Sequence, residues 1–395
     1  MHKLFNRTYI LLTLVNLITA FGFSMISSIV SSYAVSLGAG LTLAGTLAGI
    51  FSISALVIRP FTGMALDILN KRNLCIISTV MICISFIGYA YAQNIPAMLF
   101  FRVIHGLTFG ISSTSTMALV SEYIPKERLG EGLGYFGLGQ IISRISGPYI
   151  GIIIKERFGY QNLFVLISIL TVFAVLLLFL VKVEKIDYHG LTSVRSAIRV
   201  DNLIVKECIV YSLVSGLFSL GNGITSSFLL LLGEERGIGN MGLFFSANAT
   251  VLLILRFMIG KLIDRCKLTP IVIMSLLFSG ISMIVIGKST GIAMILIAAV
   301  LLAIGQGTGQ LSLQSACIKK VDATKIGVAT STYYIGADIG QGLGPIIGGK
   351  ISELFNYKIM FYFVSFLMFG GIGVFVIYQI YNKKKRTNIN SNVEL

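Results

Sequence analysis

Residues 59–72 read RPFTGMALDILNKR, and residues 256–269, 197 positions further on, read RFMIGKLIDRCKLT. The shift superposes Arg59 on Arg256, Gly63 on Gly260 and Asp67 on Asp264. It also superposes Arg128 on Lys325, Gly147-Pro148 on Gly344-Pro345, Gly151 on Gly348, Glu156 on Glu353, Phe158 on Phe355 and Tyr160 on Tyr357. Chance matching between apolar stretches would not reproduce Arg, Asp and Pro at one offset. The chain reads as two units of the same build, one after the other.

Composition says what each unit contains. Of 395 residues, 55% are apolar and 12% charged, against about 45–50% and about 25% in an average soluble domain, which excludes a disordered chain and an ordinary soluble enzyme. A membrane helix needs about 20 mostly apolar residues. Apolar runs recur at 8–33, 41–66, 74–92, 97–120, 130–154 and 160–181, and again at 207–232, 240–263, 269–287, 292–317, 326–349 and 359–381. This predicts an all-α membrane protein with twelve transmembrane helices. Residues 1–181 form an N-terminal six-helix half, 182–206 a polar linker, 207–381 a C-terminal six-helix half and 382–395 a basic tail. Lys3 and Arg7 before the first run mimic a secretory signal, but the run is too long and a second follows at once, so it reads as a retained helix. Cys75, Cys83, Cys208, Cys266 and Cys317 show no CxxC spacing and read as free thiols, with neither a disulfide framework nor a metal site.

The net charge of +15 is compatible with nucleic acid, anionic lipid or a topology signal. Its distribution selects the last. With the N-terminus in the cytoplasm, that side receives Lys3, Arg7, Lys71, Arg72, Lys126, Arg128, the linker, Lys261, Arg265, Lys267, Lys319, Lys320, Lys325 and the run Lys383 to Arg386. The other side receives Lys155, Arg157, Arg236, Lys288, Lys350 and Lys358. The expectation is a multi-pass protein of the plasma membrane with both termini cytoplasmic, embedded in lipid, without a nucleic-acid partner and functional as a monomer.

The segment Gly63-x3-Asp67-x3-Lys71-Arg72, between the second and third runs, resembles the cytoplasmic signature of the major facilitator superfamily. Gly260-x3-Asp264-Arg265 is its weaker copy. A plain basic loop is the competing reading. Glycine lets two helices approach closely, and the charges pair at the membrane rim. By resemblance these residues form a conformational latch, with Lys71 meeting Glu122 at the end of the fourth span and Arg128 in the turn after it. Gly147-Pro148-x-x-Gly151 and Gly344-Pro345-x-x-Gly348-Gly349 resemble the family motif associated with exporters of the antiporter type. They supply smooth, kinked packing faces that serve equally in general membrane packing. Arg102-x3-Gly106 looks like the family's fourth-span motif.

Charges inside spans are costly, about 2.5–3.5 kcal/mol for an Arg on insertion scales, so Arg102, Arg144 and Asp338 are the candidates for proton coupling. Arg102 either faces a cavity or snorkels to the interface. Asp338 is the one carboxylate deep in a span, and either binds and releases a proton or forms a structural ion pair. Many proton-coupled relatives carry an acid in the first span, where this chain has Asn16 and Thr19. By resemblance, spans 1, 4, 7 and 10 line a central cavity, and polar stripes at helical spacing fall on those four. They comprise Asn16, Thr19, Phe23 and Ser27; Arg102, His105, Phe109 and Ser112; Tyr211, Ser215, Phe218, Asn222 and Thr225; and Gln306, Gln310 and Gln314. Interhelical hydrogen bonding is the alternative for any single member, and for His105 a packing role.

There is no HExxH or GxSxG, and Gly287-Lys288-Ser289-Thr290 lacks the first glycine of a phosphate loop, so no enzymatic activity and no cofactor beyond a coupling proton are expected. The reading is a secondary transporter exporting a drug-like compound or metabolite by alternating access and proton antiport. Uptake or facilitated diffusion of a polar metabolite, or a non-transporting membrane sensor or scaffold, are the alternatives.

Overall fold

The computed structural model describes residues 4–125, 128–181, 205–265, 267–321 and 326–391, with backbone alone at 60, 63–64, 67–68, 129–131, 134, 256–265, 326–328, 330–331 and 382–391. The described residues form helices without strands. In a bilayer this is forced, because a helix satisfies its backbone hydrogen bonds within one segment and lipid offers none. Nine helical stretches among the described residues are long and apolar enough to cross a membrane.

The chain passes from one end of the bundle to the other twelve times. α1 (Arg7–Ser27) and α2 (Val30–Ser36) make the first crossing, interrupted at Ser28 and Ile29 where an unbroken helix was expected. α3 (Leu41–Ile68), α4 (Lys71–Tyr91) and α5 (Ile95–Glu122) follow. α6 (Leu129–Leu180) carries the fifth and sixth crossings, divided at Gly159, whose φ of 82° a side chain would strain. A short turn, Lys206–Cys208, leads into α7 (Ile209–Arg236), α8 (Gly242–Arg265), α9 (Leu268–Lys288), α10 (Ile292–Ile318), α11 (Ile326–Leu354) and α12 (Tyr357–Ser391). The tail expected from residue 382 thus continues α12 to Ser391. The linker, 182–204, lies outside the described residues.

Local chemistry sets the boundaries. Asn6, Asn70 and Asn94 each accept a hydrogen bond from the backbone of the turn they begin, satisfying donors that a helix N-terminus leaves open. Gly237, at φ 66°, closes α7. The turns at Gly38, Asn94, Gly159, Gly237, Ser289 and Asn356 lie at one end, called the far end below. The opposite, termini end holds Asn70, Tyr123, Lys319 and the approaches to both chain ends.

Packing pairs recur six crossings apart. α1 packs on α6 before Gly159, α4 on α5 and on α6 beyond Gly159, and α3 on α5. Correspondingly α7 packs on α11, α9 on α10 and α12, and α8 on α10. Large apolar side chains such as Ile77, Ile84, Phe173, Phe366 and Ile377 stay exposed, as a lipid-facing surface requires.

Small residues decide how closely α11 is held. A Cβ on Gly336, Gly340, Gly344 or Gly348 would collide respectively with Ser212, Gly216, Leu220 and Ile224 of α7, so glycines four apart meet α7 turn by turn. On another face a Cβ on Gly45 or Gly49 of α3 would strike the carbonyls of Pro345 and Gly342, and one on Gly349 the carbonyl of Leu41. Gly147 and Gly151 play the same part for α6 against Ser24 and Met25 of α1.

Gly340→Val should therefore destabilise the bundle by about 1–3 kcal/mol, seen as a lower melting temperature in detergent. Gly370→Ala, at a helix position with open space around it, should leave melting unchanged.

Candidate functional site

Two charged side chains meet deep in the bundle. Arg59 Nη1 donates to Asp338 Oδ2 at 2.8 Å, joining α3 to α11, and the two side chains are 38% and 23% exposed. Asp338 lies twelve residues into α11, about 18 Å along its axis. An ion pair here offsets the cost that either charge would carry alone. Arg59 entered the sequence reading only through the repeat. The available signal was its position inside an apolar run, which required a partner of opposite charge.

Around this pair runs a band of amides and hydroxyls. Tyr334, Asp338 and Gln341 follow one another at four- and three-residue spacing on α11. Asn222 Nδ2 of α7 donates to Gln341 Oε1 at 3.1 Å, Gln310 Nε2 of α10 to Ser219 Oγ at 3.2 Å, and Gln314 Nε2 to the Tyr334 hydroxyl at 3.0 Å. Gln306 Nε2 donates to Gln310 Oε1 at 3.5 Å, and the Tyr333 hydroxyl donates to the Gln310 carbonyl at 2.8 Å. Tyr334 and Gln341 were missing from the candidate residues because the cavity lining was assigned, by resemblance, to spans 1, 4, 7 and 10, with Asp338 the one side chain of α11 singled out for chemistry.

The other half presents an aromatic surface. Phe23 stacks on Phe51 at 4.9 Å and on Phe109 at 5.0 Å between ring centroids. Behind it, Arg102 is buried. Its Nε donates to the Leu47 carbonyl at 2.9 Å, and its guanidinium lies 4.7 Å over the Phe51 ring. Arg102 thus ties α5 to α3 instead of reaching water at the membrane surface. His105 is fully buried, with Nδ1 3.1 Å from the Tyr89 hydroxyl and its ring enclosed by Phe51 and Phe86, both at 4.8 Å. Neighbouring helices supply one hydrogen bond to each of these groups, while Arg102 Nη1 and His105 Nε2 are buried without a hydrogen-bond partner among the described residues.

The remaining expected cavity residues divide. Asn16 Nδ2 donates to the Phe136 carbonyl of α6 at 3.1 Å, and Thr19 Oγ1 to the Val15 carbonyl one turn back at 2.9 Å. Ser112, Ser215 and Phe218 are buried, and the Phe218 ring packs on Gly309 of α10. Tyr211 turns away, to Phe375 and Tyr378 of α12 and beneath the Lys320 ammonium. Helical spacing put Tyr211 on one stripe with Asn222, but eleven residues carry that stripe about 16 Å along the axis, where a different helix lies against it. Arg144 is exposed on α6 and engaged in a contact of its own.

At the termini end, Lys71 forms an ion pair with Glu122, and Arg72 donates to the Leu178 carbonyl at 3.3 Å and the Phe179 carbonyl at 2.8 Å, at the end of α6. A cation there meets the negative pole of the helix. Arg128 is exposed just before α6. Gly63, Asp67, Gly260, Asp264 and Arg265 lie on α3 and α8, their side-chain surroundings outside the described residues. Polar contacts between the halves gather toward the far end. Lys155 Nζ donates to Glu234 Oε1 at 2.8 Å, the Thr42 backbone N–H to Glu353 Oε2 at 2.8 Å, and Ser246 Oγ to the Ile145 carbonyl at 2.7 Å.

Twelve helical crossings among the described residues, with an ion pair that joins α3 to α11, define a multi-pass membrane protein. The Major Facilitator Superfamily model matches residues 12–201 and 211–394, and the chain belongs to that family. It is 24% identical over 373 residues to the multi-drug resistance efflux pump PmrA of Streptococcus pneumoniae, covering 89% of this chain and 90% of that protein. It is 21% identical over 357 residues to the staphylopine export protein of Staphylococcus aureus, covering 84% and 86%. Among solved structures it resembles the nucleoside transporter NupG in a D323A form, with TM-score 0.81, 12% identity and coverage of 94% and 99%. It also resembles a bacterial homolog of the human lysosomal transporter Spinster, inward-facing and unoccupied, with TM-score 0.74, 14% identity and coverage of 94% of each chain. These structures share its fold.

Tyr89→Phe removes the hydroxyl from a buried His105 while keeping the ring. The loss should cost about 1–3 kcal/mol, measured as a lowered melting temperature.

Proposed function

We propose that the chain exports a small amphipathic molecule, a drug-like compound or a metabolite, across the plasma membrane in exchange for protons. The observation that carries this reading is the Arg59–Asp338 pair, which spans the two halves on a partly exposed wall. The efflux proteins among its relatives support the outward direction.

Asp338 has three possible occupants, and they exclude one another. With the far end shut, Arg59 holds the carboxylate. For the far end to open, α3 and α11 must part, and an ionised carboxylate left without a partner in apolar surroundings is costly. A proton arriving from outside removes that cost. When the halves close again Arg59 returns and displaces the proton toward the inside. A substrate bearing a positive or strongly donating group takes the same place on the outward stroke, its flat apolar part against Phe23, Phe51 and Phe109 and its polar edge along Gln306, Gln310 and Asn222. In this scheme Arg102 is a positioning residue that fixes α5 against α3. Lys71, Glu122, Asp67 and Arg128 form the latch at the cytoplasmic end, and the glycines around Pro148 and Pro345 let the halves rock.

Asp338→Asn should abolish export driven by a proton gradient in inverted vesicles, with gradient-free exchange surviving only for a substrate that needs no anionic partner. Unchanged gradient dependence removes Asp338 from coupling. Orientation is tested separately. In a background without native cysteines, cysteines introduced at Glu156 and Glu235 should react with an impermeant thiol reagent on intact cells, whereas labelling only after permeabilisation reverses the topology.

A further inference from the structure

Three cations meet at the far end of the C-terminal half. Arg236 ends α7, Lys288 ends α9 and Lys358 lies in the first turn of α12. With Gly287, Ser289 and Thr290 they line an open cleft of about 610 Å³. Arg236 is fixed in place, Nη1 donating to the Ser289 carbonyl at 2.7 Å and Nη2 to the Gly287 carbonyl at 2.9 Å. Lys288 and Lys358 are exposed. Among the described residues no carboxylate lies within ion-pair distance of any of the three. Glu234 is paired with Lys155, and neither it nor Glu235 lines the cleft. α10 also begins beside Thr290, at Ile292, with no side-chain cap on its open N–H groups.

The fold does not require this charge. The Ile286 and Ser289 carbonyls that receive Arg236 stand 197 positions after those of Tyr89 and Ala92, which receive the neutral Tyr33 hydroxyl at 3.3 and 2.9 Å. The same shift takes Lys288 and Lys358 back to Tyr91 and Gln161. A helix dipole favours a cation at its C-terminus, which accounts for Arg236 and Lys288, but Lys358 stands at the positive pole of α12. The three are also half of the cations on a side that the positive-inside bias leaves poor in them, Lys155, Arg157 and Lys350 being the others. We propose that the cleft binds the phosphate of an anionic phospholipid in the leaflet at the far end. A phosphate oxygen accepts from guanidinium, ammonium and hydroxyl donors together, whereas a zwitterionic headgroup would bring its own ammonium among three cations. The position favours a lipid over a solute on the transport route. α9 and α12 pack on α7, α10 and α11, all of the same half. Exposed Ile281 on α9 and Ile359 and Phe366 on α12 offer acyl chains an apolar wall. The site stands apart from the proposed export route and does not depend on it.

The full-length protein in detergent is titrated with phosphatidylglycerol, with phosphatidylcholine of the same acyl chains and with inorganic phosphate, and bound molecules are counted by native mass spectrometry. Phosphatidylglycerol should be retained at a severalfold lower concentration than phosphatidylcholine. The double variant Lys288→Gln with Lys358→Gln should lose that preference. Arg157→Gln with Lys350→Gln removes the same charge from the same end outside the cleft and should keep it. Equal retention of the two lipids by the wild type, or an equal loss in both double variants, overturns the inference. Retention of inorganic phosphate with no preference between the lipids overturns the lipid as its source. Melting temperatures of both double variants in detergent should match the wild type, since all four side chains are exposed; a fall confined to Lys288→Gln with Lys358→Gln, without a change in lipid preference, assigns these lysines to the fold and overturns the site.

Discussion

The close approach of α11 to two helices at once is the constraint on which the rest of the structure depends. Its glycines at 336, 340, 344 and 348 let α7 lie against it within one half, and its face at Gly342, Pro345 and Gly349 meets α3 of the other half. Between lipid-exposed helices there is little hydrophobic drive to associate, so close packing and buried polar contacts must supply the cohesion. α11 supplies both. Its second face ends in Asp338, where the smooth contact with α3 gives way to the ion pair with Arg59.

That geometry puts two kinds of contact on one helix pair. The 2.8 Å ion pair and the glycine contacts toward the far end both join α3 to α11. The polar links at Lys155–Glu234 and Thr42–Glu353 add contacts between the halves near the same surface, where water lowers their cost of breaking. The buried Arg102, Tyr89 and His105 group does the opposite work. It ties α3, α4 and α5 to one another.

Much of this was legible from residues alone. The number of crossings followed from apolar run length, and the pairing of Lys71 with Glu122 from the resemblance to a family signature. The glycine faces of α11 were visible as glycines four apart. The roles of single polar residues were not. His105 and Tyr211 look alike in sequence, a polar aromatic on an apolar helix, yet one sits between α3, α4 and α5 and the other faces α12. Asn222 and Gln310 meet partners on other helices, and no local pattern names those partners.

The sequence by itself determined that the chain is a bundle of membrane helices, because backbone hydrogen bonding in lipid is satisfied within each segment and apolar periodicity is a local property. It also marked Asp338 as a carboxylate deep in a span that either exchanges a proton or forms an ion pair, and the structure gives it a partner. Only the tertiary structure decided that this partner is Arg59, 279 positions away. Which face of one helix meets which face of another depends on the packing of whole surfaces, and that is settled only when all the helices are brought together.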